Sequence, residues 1–264
     1  MFRLHKYLLH YNLFISICST ALVLYFSIVT NTKVSSLIYI LTFFGTLGVY
    51  NLFRLYPSLK DYLFKHRGFS FELILYSLII GTICFFFLPN NLKLFYLIPA
   101  FLSAAYKFPI IDRKDLRSLP YLKVFIIAAV WIFIGAIPIS DSISHDKENV
   151  KLIVLTMISQ FFFFIAITIP FDVFDVEKDK MKTLATTMGI KKAIIVAKIC
   201  LALHVFIAIA KDPSSKEIIG HLVIAGIAFT ILSLYKKLLR HRTLQYYCVD
   251  GLIILQTFII YFLH

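Results

Sequence analysis

The sequence predicts an all-α, polytopic membrane protein with nine transmembrane helices in a single domain spanning residues 1–264. Composition is the first reason. Of the 264 residues, 60% are hydrophobic and 16% charged, against roughly 45–50% and 25% in soluble domains. The mean hydropathy is +0.85, and one soluble core of this size cannot hide that much apolar side chain. The second reason is segmentation. Apolar stretches able to cross ~30 Å of hydrocarbon at 1.5 Å per residue run over 13–29, 34–53, 71–88, 92–106, 121–139, 150–169, 193–210, 218–234 and 248–263. The third is the distribution of basic residues between them.

Taken in order, the first span has no small-residue cleavage site after it, so it reads as a retained helix and not a signal peptide. The second ends in Asn51 and Arg54. The third and fourth are separated by Pro89, and the fourth is short and interrupted by Pro99. The fifth follows Pro120, and the sixth runs into Pro170, which suits either a kink or the first turn of a new helix. The seventh carries Lys198, the eighth His221, and the last opens near Asp250. Assigning successive connections to alternate sides puts 20 Lys and Arg on one side: Arg3, Lys6, Arg54, Lys60, Lys65, Arg67, Lys107, Arg113, Lys114, Arg117, Lys123, Lys178, Lys180, Lys182, Lys191, Lys192, Lys236, Lys237, Arg240 and Arg242. The other side holds only Lys33, Lys93, Lys147, Lys151, Lys211 and Lys216, and Lys198 lies within a span. Deleting any span scrambles that separation. By the positive-inside rule the N-terminus is cytoplasmic and the C-terminus external, as expected for a multi-pass protein of a bacterial inner membrane.

The net charge of +13 is therefore an orientation signal, and no nucleic-acid partner is implied. The four cysteines (Cys18, Cys84, Cys200, Cys248) all lie in apolar stretches, which excludes a secreted disulfide scaffold. There is no phosphate-binding glycine loop, GxSxG, HExxH or cysteine pair. The longest connections, about 54–70, 107–120 and 170–192, all fall on the cytoplasmic side.

One of them holds the chemistry. Of only fourteen acidic residues, four occur between Phe171 and Lys180. On a helix, at about 100° per residue, Asp172, Asp175 and Asp179 share one face, and Glu177 points elsewhere. Three like charges on one face repel one another unless a cation sits among them. Hard divalent cations take carboxylate oxygens, and Mg²⁺ in particular combines one or two carboxylates with substrate phosphates.

Asp172-x-x-Asp175-x-x-x-Asp179, followed by Lys180-x-Lys182-Thr183-Leu184 and Gly189, resembles the second aspartate-rich motif of the UbiA superfamily of intramembrane prenyltransferases. The resemblance covers nearly the whole chain. Tyr106-Lys107 and Pro120-x-x-Lys123 are similar to the family's tyrosine and basic residues between the fourth and fifth helices, and Tyr246–Gly251 to the opening of its last helix. It implies a nine-helix bundle with both aspartate motifs on the cytoplasmic side. It also implies Mg²⁺ held by Asp172, Asp175 and Asp179, which would act catalytically, with diphosphate contacts from Asn51, Arg54, Tyr106, Lys107, Lys123 and Lys182. The reaction implied is ionisation of an allylic prenyl diphosphate and transfer of the prenyl group to an aromatic or other lipophilic acceptor in the membrane.

The chain departs from the family at its first motif, NxxxDxxxD. Asn51 is in place, but Leu55 and Leu59 occupy the aspartate positions, and Asp61 is two residues out of register. Arg54, whose planar guanidinium forks onto phosphate oxygens, is a physical substitute for the lost metal site; interfacial snorkelling is its alternative role. The loss keeps open a non-catalytic prenyl-lipid-binding protein and a terpene cyclase of the same family. A cation-coupled transporter would place its acids at the midplane of repeated halves, which this chain lacks. Phe85–Phe87 and Phe161–Phe164 are candidate tunnel linings but read more simply as lipid-facing or packing residues. Asp250 is positioned for acceptor contact or lysine pairing. Lys198 is expected to snorkel, and His204 and His221, which have no metal-ligand spacing, to pack.

Overall fold

The computed structural model describes residues 8–55, 69–108, 116, 119, 121–140, 147–176, 183–212, 215–235 and 246–264. Among them the regular structure is wholly helical. In chain order the helices are α1 (Leu13–Val29), α2 (Ser36–Leu55), α3 (Phe69–Phe86), α4 (Asn90–Lys107), α5 (Leu122–Ser140), α6 (Lys147–Asp175), a short α7 (Leu184–Met188), α8 (Ile190–Lys211) and α9 (Glu217–Ser233). A π-helical turn, Tyr246–Asp250, then leads into α10 (Gly251–Leu263). The molecule is a helical membrane protein. Five stretches are long and apolar enough to cross a membrane: Ser36–Arg54, Leu122–Ile139, Glu148–Phe174, Ile190–Lys211 and Tyr246–Leu263. Leu13–Val29, Phe71–Phe86 and Glu217–Ser233 are shorter apolar helices. A helix, α4, covers the fourth expected span with Pro99 inside it, but it is not among the stretches long and apolar enough to cross a membrane.

Packing follows from which faces lack polar groups. α1 lies against α2, α5 and α10, and α5 continues the contact to α4 and α6. The sequence α6, α8, α9, α10 then returns to α1. Close approach of α1 and α5 depends on Gly135, where a Cβ would stand 2.6 Å from the Phe26 ring. The main core combines Leu22, Tyr25 and Phe26 of α1 with Trp131 of α5 and Phe163 and Phe164 of α6. Trp131 stacks on Phe164, with ring centroids 5.3 Å apart. Phe86 and Phe87 are exposed, as lipid-facing residues would be.

Two local features position the candidate site. α6 does not stop at Pro170; it continues to Asp175. A proline removes one main-chain donor and frees one carbonyl, and within a packed membrane bundle such a helix persists. Asp172 and Asp175 are thereby carried on the same helix as the core phenylalanines. Beyond it, Thr183 caps α7 by accepting from the Thr186 amide at 3.2 Å, while the Thr186 hydroxyl accepts from the Thr183 amide at 2.7 Å. Gly189 then turns the chain into α8 at φ +85°, a conformation that costs a side-chain-bearing residue more.

Candidate active site

Asp172 is fully buried, near the end of α6. Its Oδ1 lies 2.7 Å from Nζ of Lys123, the second residue of α5, whose own side chain is 8% exposed. A carboxylate taken out of water is tolerable only when paired. The pair therefore joins the start of α5 to the end of α6. Lys123 follows Tyr121, a non-glycine residue held at φ +66°, so the turn that presents the lysine is sterically uncommon.

The other expected ligands fall in several places. Asp175 ends α6, one helical turn from Asp172. Asp179 and Lys182 lie outside the described residues, as does Glu177. Among the described residues no group of three or more His, Cys, Asp or Glu forms a metal-sized cluster. Asp172 and Asp175, hard oxygen donors three residues apart on one helix, fit a Mg²⁺ ion chemically. In this structure Lys123 supplies the positive charge beside Asp172.

Asn51 and Arg54 are brought to the same end, but onto the start of α1. Buried Asn51 donates through Nδ2 to the carbonyls of Tyr11 at 2.9 Å and Leu47 at 2.8 Å, and its Oδ1 accepts from Asn12 Nδ2 at 3.1 Å. Arg54 donates through Nη1 to the His10 carbonyl, and its Nη2 stands 2.8 Å from His10 Nδ1. Both side chains thus tie the end of α2 to residues 10–12. Tyr106 and Lys107 close α4, and the contact of Phe53 with Phe108, at 6.0 Å between centroids, holds that end beside α2.

A group of residues that sequence reading did not assemble lies next to these. Tyr50, adjacent to Asn51, is 38% exposed, and Cys18 Sγ of α1 lies 3.3 Å from the main-chain carbonyl of Asp250. Phe171, the neighbour of Asp172, packs on Tyr246 at 5.4 Å between centroids. Tyr106 and the Tyr246–Asp250 stretch carried a signal through the family resemblance, and Asp250 also as an acid within an apolar span; Tyr50 carried none.

His204, His221 and Lys198, also within spans, find partners outside this group. His204 pairs with Ser159 Oγ at 2.8 Å and with His221 Nδ1 at 3.2 Å, a buried chain that joins α6, α8 and α9. Lys198 donates to Ser233 Oγ at 2.9 Å and sits 4.1 Å above the Phe229 ring, on an exposed face, as expected of a snorkelling lysine.

Three solved structures share this architecture. A UbiA homologue from Archaeoglobus fulgidus bound to Cd²⁺ matches with a TM-score of 0.60 at 15% identity, over 97% of this chain and 99% of that one. The structure of a UbiA homologue from the same organism bound to DMAPP and Mg²⁺ matches with a TM-score of 0.60 at 15% identity, over 97% and 98%. A digeranylgeranylglyceryl phosphate synthase matches with a TM-score of 0.57 at 16% identity, over 98% of each chain. No family model matches the sequence, and no curated protein does so. The chain has the UbiA fold over nearly its whole length.

Proposed function

We propose that the chain is a UbiA-type intramembrane prenyltransferase, with nine membrane crossings, a cytoplasmic N-terminus and a site at the cytoplasmic lip. The observation that carries this reading is the aspartate-rich end of α6, with buried Asp172 paired to Lys123 at 2.7 Å. It lies on a fold shared with a structure described as bound to DMAPP and Mg²⁺. The substrates are an allylic prenyl diphosphate and a lipophilic acceptor from the bilayer.

In this reading Asp172, Asp175 and Asp179 would hold Mg²⁺, whose chemistry when bound would be charge neutralisation of the leaving diphosphate. Lys123 and Lys182 add positive charge to the same oxygens, and Tyr106 and Lys107 bound them from the end of α4. Where the family's first motif is lost, Arg54 turns from His10 toward phosphate. The prenyl chain lies among the apolar helices, whose aromatic faces shield the allylic cation.

The test is to incubate the purified protein with radiolabelled dimethylallyl, geranyl and geranylgeranyl diphosphates and Mg²⁺, and to measure diphosphate release. We expect release that chelation abolishes, with Asp172→Ala, Asp175→Ala and Asp179→Ala each costing on the order of a hundredfold, and Glu177→Ala little. Absence of release from all three substrates overturns the enzymatic reading. The engagement of Asn51 and Arg54 with residues 10–12 would then favour a prenyl-lipid-binding protein without turnover.

A further inference from the structure

Lys198 is a charge set inside α8, a helix long and apolar enough to cross the membrane. Its Cα stands eight residues from the start of α8, about 12 Å along the axis at 1.5 Å per residue. A cation at that depth is costly, and ionisable residues in such places tend to mark function. What holds the side chain is α9. Nζ donates to Ser233 Oγ at 2.9 Å and lies 4.1 Å from the centre of the Phe229 ring. Ser233 gives its own hydroxyl proton to the Phe229 carbonyl at 2.8 Å, so toward the lysine it acts as an acceptor. Ser233 is the last residue of α9. The ammonium is thereby fixed where an apolar helix ends, while its half-buried stem lies between α8 and α9. Of its three donors, Ser233 takes one and the ring covers a second side, which leaves a donor for a ligand.

A second cation shares that face. Lys191 precedes Lys198 by seven residues, two helical turns, and is exposed. Side chains of a helix lean toward its N-terminus, which for α8 is the end where Lys191 lies, so the two ammonium groups approach one level. Away from that end the groove stays open. Ala202 follows Lys198 by four residues and Gly226 precedes Phe229 by three, so each falls on the stripe that meets the neighbouring helix. Both are exposed, and a Cβ added to Gly226 would meet nothing within 4 Å. Ile195 and Phe229, exposed as well, flank the ammonium. The result is an apolar trough with two cations at its mouth.

We propose that Lys198 and Lys191 bind one anionic phospholipid, its phosphate between the two ammonium groups and an acyl chain along the α8–α9 groove. Basic recesses between membrane helices recognise anionic headgroups in this way. A zwitterionic lipid would bring its own ammonium against the lysines, whereas a net-negative phosphodiester matches them in charge. The bland role of Lys198, balancing the carbonyl end of α9, calls for neither Lys191 nor an open groove.

The experiment titrates the full-length protein, purified in detergent, with dioleoylphosphatidylglycerol or dioleoylphosphatidylcholine, and counts bound lipid by native mass spectrometry. The parent should hold one phosphatidylglycerol about tenfold or more tightly than phosphatidylcholine. Lys198→Gln and Lys191→Gln should each weaken retention about fivefold, the worth of one basic residue beside anionic lipid. Lys198→Arg should keep it. Lys216→Gln, which removes the same charge at the opposite end of α9, should match the parent. A phosphatidylglycerol carrying a diazirine in its acyl chain should cross-link within 195–202 or 226–233, mapped by peptide mass spectrometry.

Equal retention of the two lipids, or cross-links confined to other helices, overturns the proposal. So does a Lys198→Gln protein that melts lower yet holds phosphatidylglycerol like the parent, which assigns the lysine to the end of α9 alone. Displacement of the lipid by inorganic phosphate or by geranyl diphosphate overturns it too, by assigning the cations to a free anion or to the prenyl donor. If Lys198→Gln does not fold, Lys191→Gln and the cross-links of the parent decide the matter. None of these readouts needs turnover, so the prenyltransferase reading stands or falls separately.

Discussion

Replacing Lys123 by Met tests how the buried charge at the end of α6 is balanced. Asp172 is fully buried, and its ion pair with Lys123 spans 2.7 Å, with the lysine side chain 8% exposed. Methionine keeps the length and apolar stem of the lysine and removes only the charge. Breaking one side of such a pair leaves an uncompensated buried ion, which costs about 3–5 kcal/mol. For a chain of this size that is on the order of 10 °C in melting temperature, followed in detergent by intrinsic fluorescence of Trp131 or by circular dichroism. The double variant Lys123→Met/Asp172→Leu removes both charges and should recover most of the loss, since an apolar pair of similar volume is commonly neutral or better. Mg²⁺ should rescue the single variant selectively. An ion that takes the vacated place and is present at about a hundred times its Kd returns about 2.7 kcal/mol by linkage, whereas in the parent it must compete with the ammonium group. A single variant that melts with the parent, or Mg²⁺ stabilisation equal in both proteins, would refute the claim that Lys123 is the counter-charge of Asp172.

Three further outcomes follow from the same geometry. Arg54→Ala should weaken geranyl diphosphate binding about tenfold or more, the worth of hydrogen bonds to a charged group, and Arg54→Lys should fall between it and the parent because a point charge cannot fork onto phosphate; binding unchanged in both, measured by equilibrium dialysis, assigns the arginine to His10 alone. Gly135→Ala should destabilise by about 1–3 kcal/mol through overpacking, because its Cβ would lie 2.6 Å from a buried Phe26 ring atom and 3.0 Å from Leu22, whereas Gly226→Ala, with nothing within 4 Å, should melt with or slightly above the parent. A reporter fused after His264 should be external and one inserted at Lys65 cytoplasmic; both on the same side would break the nine-crossing topology.

Composition and charge order determined the membrane class and the helix positions. Apolar runs must form helices in lipid because no water is there to satisfy main-chain groups, and their ends are marked by charges that cannot follow. Hence the span expected at 13–29 is the helix Leu13–Val29, and most other boundaries shift by no more than three residues. The exception is α6: Pro170 suited either a kink or the first turn of a new helix, and the helix runs through it to Asp175, because packing against neighbouring helices outweighs the loss of one main-chain bond. That Asp172 and Asp175 stand one turn apart was legible because helical spacing alone decides it.

Tertiary structure decided which side chain meets which. Lys123 and Asp172 are 49 residues apart in the chain, and only the packing of α5 on α6 makes them an ion pair. Nothing local marks Asn51 and Arg54 for residues 10–12, or brings Cys18 of α1 to the Asp250 carbonyl and Phe171 of α6 to Tyr246. Local pattern records whether a residue lies in a span, and on which face. The partner that a buried polar group finds is set by how the helices close against one another, and in a low-dielectric interior that partner decides whether an acid is a counter-charge, a ligand or a base.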